Sequence, residues 1–372
     1  MPAAATKPAA KKAPAKKAAA PKRQPDEQPR EGLFVWYIGN FEPPHSSENH
    51  IARAIRSTIA MVEEVQENDP TCWGKMAASL RAGARPDFIL WTRTGWDWAV
   101  LGSSPEAMQI AQFDFLLAAE RADIPVIGYH LDIWWGLQRE RQVFTEPFFR
   151  CRLLITADGG HDEQWEAAGV NHVWFPPAVS AVEAVEGLAI DRYRSPLAFV
   201  GSHDGGYHQE HQHRHQLINW LRTNFRSTCA FFPERGMPAV RGADLQDLYA
   251  SVDVVLGDSC FAGSGLARYA SDRLPETMGR GGLLLHPDVE GMTDGSEWRP
   301  GSAVWRSGEH LLTWPAGDWD ALADRIDWAL SNPQDRREIA HAGRAHTVKH
   351  HTYEVRARQL VEVLVERGLL RE

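Results

Sequence analysis

Lysine is nearly missing from the greater part of this sequence. The chain has 372 residues, and of its eight lysines only Lys75 and Lys349 lie beyond residue 30. Eight basic and two acidic side chains give residues 1–30 a net charge of +6. Since the formal charge of the whole chain is −9, the remainder carries −15. Its cations are therefore almost all arginines, whose guanidinium groups suit carboxylate and phosphate partners.

Cysteine and long apolar segments are also scarce. The four cysteines are scattered, with no CxxC pair and no metal-ligand spacing, which favours a reducing cytoplasm and thiols that act as small core residues. No apolar run approaches the ~18 residues that a membrane helix needs. No apolar core region follows the N-terminal lysines, as a secretory signal would require. We therefore expect a soluble cytoplasmic protein without a membrane span.

Several catalytic signatures are absent. The chain has no GxSxG, GxxxxGK[ST] or HExxH motif, which argues against a serine hydrolase elbow, a P-loop and a zinc protease helix. No GxGxxG follows the first strand, so a dinucleotide cofactor is not expected. Cys260 follows a predicted strand, but a nucleophilic cysteine would need a base partner. We interpret it as lining a pocket or the core.

From Gly32 onward, short apolar strands alternate with helices, which is typical of parallel sheets covered on both faces. We predict strands at 33–38, 88–91, 124–129, 152–156, 173–175, 197–200, 229–232, 252–256 and 283–285. Helices are predicted at 48–66, 105–121, 161–168, 209–223, 243–250, 317–331, 333–346 and 352–369. This pattern predicts two Rossmann-like domains, 31–178 and 179–350, that face each other across a cleft, with a closing helix over 351–372.

Residues 1–30 consist of Ala/Lys/Pro repeats. Prolines block a continuous helix and nothing apolar is available to bury, so we predict a disordered tail. Such a polycation could hold the protein near nucleic acid by neutralising phosphates. A solubilising tail is the alternative, because a basic run shows electrostatics and no specific site.

The segment 271–287 is the most informative of the chain. Arg273 and Glu276 are three residues apart, so they share one face of a short helix, which glycines and an apolar strand follow. A nucleotide-sugar diphosphate suits this pair, because guanidinium binds phosphate and carboxylate accepts from ribose hydroxyls. An ordinary surface ion pair is the alternative.

These residues resemble the nucleotide-sugar loop of GT-B glycosyltransferases, in particular the CgeB-like, family 4-like branch, in which Arg-x-x-Glu precedes small residues and an apolar strand. The segment from His351 to Arg358 is similar to the closing His-Thr-Tyr-x-x-Arg helix of that branch. The resemblance is good over 195–370 and is mostly fold-level over 31–178. It implies a GT-B fold and transfer of a hexosyl or pentosyl group from a UDP- or GDP-linked sugar without a metal. The acceptor stays open among modified DNA bases, proteins and glycans.

The resemblance implies that the C-terminal half binds the nucleotide sugar. Glu276 would bind the ribose and Arg273 the diphosphate, while the backbone after the strand 197–200 approaches the phosphates. The wider retaining group has a second glutamate at the position of Arg268, which would instead supply charge. The residues expected to bind the co-substrate are Gly201, Ser202, Arg214, Asp258, Arg268, Asp272, Arg273 and Glu276.

The N-terminal half would present the acceptor. We assign catalysis to His130, which ends a strand and could stabilise charge on the departing phosphate, together with Arg268. Acceptor binding is assigned to Gly39, Asn40, His45 and Asp132. The structural alternatives are that His130 and Asp132 cap the strand and that 39–48 is an ordinary βα loop.

Four histidines cluster after residue 207. His208, His211, His213 and His215 could hold Zn²⁺ or Ni²⁺ at helical spacing, but we interpret them as a polar loop and an exposed helix. No metal is therefore predicted. A second class of function also stays open, namely a catalytically inactive GT-B protein that binds nucleic acid through the basic tail.

Overall fold

Two parallel β-sheets form the centre of the molecule. The computed structural model describes residues 32–95, 98–137, 139–203 and 212–370. The predicted tail 1–30 and the histidines at 208 and 211 lie outside the described residues. None of the helices in these ranges has the length and apolar character needed to cross a membrane.

The N-terminal half is a six-stranded parallel sheet with the order β2-β1-β3-β4-β5-β6. Five of its six strands were predicted close to their positions, since most of them are apolar runs buried on both faces. Its elements are β1 (Leu33–Gly39), α1 (Ser47–Thr58), β2 (Ala60–Gln66), α2 (Cys72–Arg81), β3 (Phe88–Thr92), α3 (Pro105–Arg121), β4 (Val126–His130), β5 (Leu153–Thr156), α4 (Asp162–Ala167) and β6 (His172–Trp174).

The predicted helix over 48–66 is wrong in its second half. Helix α1 ends at Thr58, and residues 60–66 form the edge strand β2, which pairs in parallel with β1 from Leu33↔Ala60 to Gly39↔Gln66. The isoleucine spacing of four residues holds only within α1 and at its C-cap, Ile59. Pairing with β1 is a long-range contact that overrides the weak helix propensity of residues 60–66.

The C-terminal half is a five-stranded parallel sheet with the order β13-β10-β9-β7-β8. The strand β13 and a small antiparallel hairpin, β11 with β12, were not predicted. Its elements are β7 (Ser195–Val200), α5 (His213–Asn224), β8 (Cys229–Phe232), α6 (Gly242–Ser251), β9 (Val252–Leu256), α7 (Arg273–Gly279), β10 (Leu284–Pro287), β11 (Glu297–Arg299), β12 (Ser302–Ala303), β13 (Leu312–Trp314), α8 (Trp319–Ser331) and α9 (Pro333–His350).

The last helix, α10 (Tyr353–Glu366), returns to the N-terminal half and packs its apolar face on α1. The side chain of Thr352 caps it by accepting from Val355 N at 3.3 Å. Arg356 is buried and donates to the backbone oxygen of Pro176 at 2.9 Å. The His-Thr-Tyr-x-x-Arg segment thus turns the chain and fixes the closing helix across the two halves.

Candidate active site

A cavity of about 690 Å³ lies between the two halves. Its walls include residues that directly follow β4, β7, β8 and β9, so it lies at the carboxyl ends of parallel strands, where ligands of such sheets bind. Of the predicted site residues, it is lined by His45, Asp132, Gly201, Ser202, Arg214, Asp258, Asp272, Arg273 and Glu276. The lining does not include Gly39, Asn40, His130 or Arg268.

The floor of the cavity is a buried carboxylate held by two guanidinium groups. Asp258, 2% exposed, follows β9; its Oδ2 accepts from Arg214 Nε at 2.7 Å and its Oδ1 accepts from Arg273. Burial alone would raise the pKa of Asp258, but the two cations outweigh it and lower that pKa to about 2. Asp258 is therefore an anion that positions both arginines, whose remaining N–H groups can bind a ligand's anionic oxygens.

Gly201 lets Arg273 lie against the end of β7. The guanidinium of Arg273 donates to the backbone oxygen of Val200 and lies over the ring of Phe199 at 4.8 Å. A Cβ at position 201 would come within 2.1 Å of Arg273 NH2, and the φ of Gly201 is +141°. The close approach of the guanidinium and the positive φ both favour glycine at this position, which leaves room for the Arg273 side chain.

Glu276 is not the ion-pair partner of Arg273. Arg273 pairs with Asp258 instead, while the carboxylate of Glu276 lines the cavity and makes no hydrogen bond or ion pair with any residue of the described ranges. The ordinary i,i+3 ion pair that the sequence left open is thus absent. A half-buried carboxylate without a partner is what a site for hydroxyl groups requires, because such an acceptor gains its partner from the ligand.

Three carboxyl groups face the same part of the cavity. Burial raises the pKa of Asp272 to about 8, and the nearby charges of Glu276 and Asp132 contribute to the same shift. Asp272 therefore carries a proton at neutral pH and can donate a hydrogen bond as well as accept one. Such a mixture of a protonated and an ionised carboxyl suits neutral, hydroxyl-rich groups.

Arg268 lies elsewhere than expected. It has a left-handed backbone, with φ +60°, and its guanidinium binds Asp162 of the N-terminal half and lies 5.4 Å from the centre of the Trp174 ring. The prediction that Arg268 supplies charge to the diphosphate therefore has no support in its placement. The next residue, Tyr269, donates to Asp132 Oδ1 at 2.5 Å, so this segment joins the two halves.

His130 lies behind the cavity wall. It is 7% exposed, its Nε2 is 3.3 Å from the backbone oxygen of Ile133, and its ring lies edge-on to Trp134. Burial lowers its pKa to about 4, so the imidazole is neutral at physiological pH. It is therefore no cation for a departing phosphate, whereas the residues that follow it, Leu131 and Asp132, reach the cavity.

Two of the predicted acceptor residues have structural contacts instead. A Cβ at Gly39 would lie 2.8 Å from Glu48 Cγ, so glycine allows α1 to pack close to the end of β1. Asn40 Oδ1 accepts from Gln66 Nε2 at 3.1 Å. Of the residues predicted in this loop, His45 lines the cavity, and its Nδ1 is 3.2 Å from Glu183 Oε1.

The structure also decides how His213 and Cys260 are placed, and it adds one cavity residue that was not predicted. His213, predicted on an exposed helix, is buried between Trp314 and Trp319, and burial lowers its pKa. Cys260 lines the cavity, and burial raises its thiol pKa to about 12, which makes a thiolate nucleophile unfavourable. Sequence reasoning missed Arg241, an exposed cavity arginine directly before α6; its position at a helix start was the available signal.

These features define the GT-B class of fold, two Rossmann-like domains with the ligand cleft between them. The sequence model of the family described as glycosyl transferase-like matches residues 198–362, which form most of the C-terminal half of the cleft. The search of curated proteins found no match.

Solved structures of the same fold cover nearly the whole chain. HepE of Anabaena, in complex with UDP and glucose, has a TM-score of 0.56 at 14% identity, with 90% of this chain and 100% of HepE covered. Starch synthase IV from Arabidopsis thaliana, bound to ADP and acarbose, gives 0.58 at 9%, covering 91% and 99%. An α-glucosyltransferase in complex with UDP-glucose and DNA gives 0.60 at 9%, covering 89% and 98%. At these identities, the likeness shows the fold.

Proposed function

We propose that this protein is a nucleotide-sugar-dependent glycosyltransferase. The observation that carries the proposal is the unpaired carboxylate of Glu276 beside the Asp258-anchored Arg273 in a cavity of about 690 Å³. The family match over the C-terminal half supports it, as do neighbours of the same fold whose structures hold UDP-glucose or ADP.

In this proposal the C-terminal half binds the nucleotide sugar. Glu276 accepts from the ribose hydroxyls, and Arg273 with Arg214 donates to the diphosphate above the Gly201–Ser202 backbone. Positive charge at the diphosphate stabilises the leaving group, because the bond to the sugar breaks towards these oxygens. Arg241 is the further cation of the cavity wall, and it replaces Arg268 in the role that the sequence suggested.

The N-terminal half presents the acceptor to the sugar. Asp132 and His45 are the predicted acceptor residues that line the cavity. The hydrogen bond from Tyr269 to Asp132 joins the two halves beside the cavity, and closure of the halves around the donor would exclude the water that otherwise hydrolyses it. Asp272, which lines the cavity and is protonated at neutral pH, would bind hydroxyls of the transferred sugar.

The finer features of the proposal concern donor, branch and location. We propose that the donor is a UDP- or GDP-linked hexose or pentose. We also propose that the protein is a CgeB-like member of the GT-B enzymes and that it is located in the cytoplasm. The acceptor is a hydroxyl on a modified DNA base, protein or glycan. The alternative of an inactive nucleic-acid-binding protein receives no support from the family match or the structural neighbours.

A donor-hydrolysis screen tests the proposal. The purified chain is incubated with UDP-, GDP- and dTDP-sugars, and release of the nucleoside diphosphate is measured. We expect slow release from one donor class, and much slower release with Glu276→Ala. A folded protein that releases nucleotide from none of these donors, and binds none of them, would contradict the assignment.

A further inference from the structure

Three metal-binding side chains meet at the wall of the cleft. His45 precedes α1, His50 lies within α1, and Glu183 belongs to the connection between the two sheets. Glu183 Oε1 is 3.2 Å from His45 Nδ1 and 3.5 Å from His50 Nε2, and the three donor atoms lie within 4.8 Å of one another. In the described ranges, no other set of histidine, cysteine and acidic side chains has this spacing.

Two of the three separations between ligand atoms match those of a zinc site, and the third, between the two imidazole nitrogens, is at most 4.8 Å. Bonds of about 2.0–2.1 Å in a tetrahedral site place neighbouring ligand atoms about 3.3–3.4 Å apart. The two distances to Glu183 Oε1 are already within ~0.2 Å of that value. Two imidazole nitrogens and one carboxylate oxygen are ligands that zinc accepts, and three protein ligands leave a fourth position open.

A buried arginine fixes the orientation of the carboxylate. Arg280 is 2% exposed, its NH2 binds Glu183 Oε2, and its NH1 donates to the backbone oxygen of Glu276 at 3.2 Å. One oxygen of Glu183 is thereby occupied, and the other is directed to the histidines. Outer partners of this kind set the orientation of metal ligands and are a normal part of metal sites.

The charge of the cavity favours a bound cation. The described residues that line the cavity include six carboxyl groups and only four guanidinium groups. The carboxyl groups belong to Asp132, Glu183, Glu234, Asp258, Asp272 and Glu276, and the guanidinium groups to Arg214, Arg241, Arg273 and Arg280. Because Asp272 is protonated at neutral pH, the excess of carboxylates over guanidinium groups is one, and a diphosphate that enters this lysine-free cavity adds further negative charge. A divalent cation offsets that excess, since opposite charges at short range in a partly buried site interact strongly.

We propose that His45, His50 and Glu183 bind Zn²⁺ at the wall of the cleft, with the fourth position open to the cavity. All three residues line the cavity, so water or an oxygen of a bound substrate can occupy that position. The site brings together the start of α1 and the connection between the sheets. This proposal departs from the sequence-based prediction of no metal, and the ligand geometry that carries it is independent of the donor assignment.

The competing arrangement contains no metal. In it, both imidazoles donate hydrogen bonds to Glu183, and the cluster is simply a polar contact between elements. The two arrangements differ in a measurable way, because only the first binds one Zn²⁺ per chain and gives a tetrahedral Co²⁺ spectrum.

Zinc binding by the untagged full chain tests the proposal. The chain is treated with EDTA, dialysed and titrated with Zn²⁺ by calorimetry, and with Co²⁺ by visible absorption. We expect about one Zn²⁺ per chain, and an affinity lowered by at least about 100-fold in His45→Ala/His50→Ala, because two of the three ligands are lost. Glu183→Gln keeps a hydrogen-bonding group and should also weaken binding, and its melting temperature shows whether the fold persists.

Two matched controls separate this site from other histidines. His341 is an exposed histidine of α9, and His341→Ala should leave zinc binding unchanged. The double variant His208→Ala/His211→Ala removes two of the four histidines that cluster after residue 207 and should also leave zinc binding unchanged. The proposal is overturned if the wild-type chain binds no Zn²⁺, or if Zn²⁺ binding is retained without His45 and His50.

Discussion

Replacing Asp258 with asparagine removes the charge that holds the two arginines of the cavity floor. The pKa of Asp258 is about 2, against its usual 3.8. Because one pKa unit is worth about 1.4 kcal/mol, ionised Asp258 contributes about 2 kcal/mol to stability at neutral pH. Removing one partner of a buried ion pair costs about 3–5 kcal/mol in general, which is a second measure of the same contacts with Arg214 and Arg273. We therefore expect Asp258→Asn to lower the free energy of unfolding by about 2–5 kcal/mol.

The loss of stability in Asp258→Asn should depend on pH in a characteristic way. A carboxyl group whose folded pKa is lowered contributes fully above its unfolded pKa of 3.8, and the contribution disappears as pH falls towards 2. The stability difference between wild type and Asp258→Asn should accordingly shrink between pH 4 and pH 2. Urea unfolding followed by tryptophan fluorescence at a series of pH values measures it.

Asp253, which lies on the strand β9 that precedes Asp258, supplies the matched control. Its side chain is 48% exposed and pairs with Arg336 at the surface, so Asp253→Asn should cost no more than about 1 kcal/mol. The reasoning is refuted if the two variants lose equal stability, or if the difference from wild type at Asp258 does not change with pH.

Three further predictions concern the cavity. Gly201→Ala should displace the Arg273 guanidinium and weaken nucleotide binding, measured by calorimetry, at least about 10-fold. The control is Gly265→Ala, because Gly265 also has a positive φ but open space around it, and this variant should leave the affinity unchanged. An equal loss of affinity in the two variants would contradict the prediction. Tyr269→Phe removes the hydrogen bond to Asp132 and should cost about 1.5–3 kcal/mol in urea unfolding; an unchanged midpoint would count against the contact. Cys260 should react slowly with iodoacetamide at pH 7.5, as followed by mass spectrometry, because its thiol pKa is about 12; rapid alkylation of the folded chain would disprove it.

The repeating part of the fold was open to prediction from sequence. Runs such as Phe88–Thr92 and Val252–Leu256 are apolar along their length, since both faces of a parallel sheet are covered. The edge strand β2 was missed because Glu63 and Glu64 interrupt its apolar pattern, and its identity as a strand depends on pairing with β1. Sequence alone carries no signal for that partner.

Most of the residues predicted in the C-terminal half line the cavity, whereas only some of those predicted in the N-terminal half do. Arg273, Glu276 and Asp258 lie close to the ends of predicted strands or on a short helix, so local pattern places them. Arg268 depends on a left-handed backbone and on Asp162, 106 residues away in sequence, and neither could be inferred from spacing. His130 was correctly placed at a strand end, but which way its ring faces is decided by packing against Trp134.

Nucleotide binding by Glu276 variants tests the central claim most directly. Calorimetry is performed with UDP, GDP and dTDP and their sugars on wild type, Glu276→Gln and the exposed control Glu338→Gln of α9. Loss of charged hydrogen bonds to ribose costs about 1.5–3 kcal/mol, so Glu276→Gln should weaken binding about 10- to 150-fold while Glu338→Gln does not. Equal affinity of all three proteins for the bound nucleotide, or no binding by folded wild type, would contradict the account.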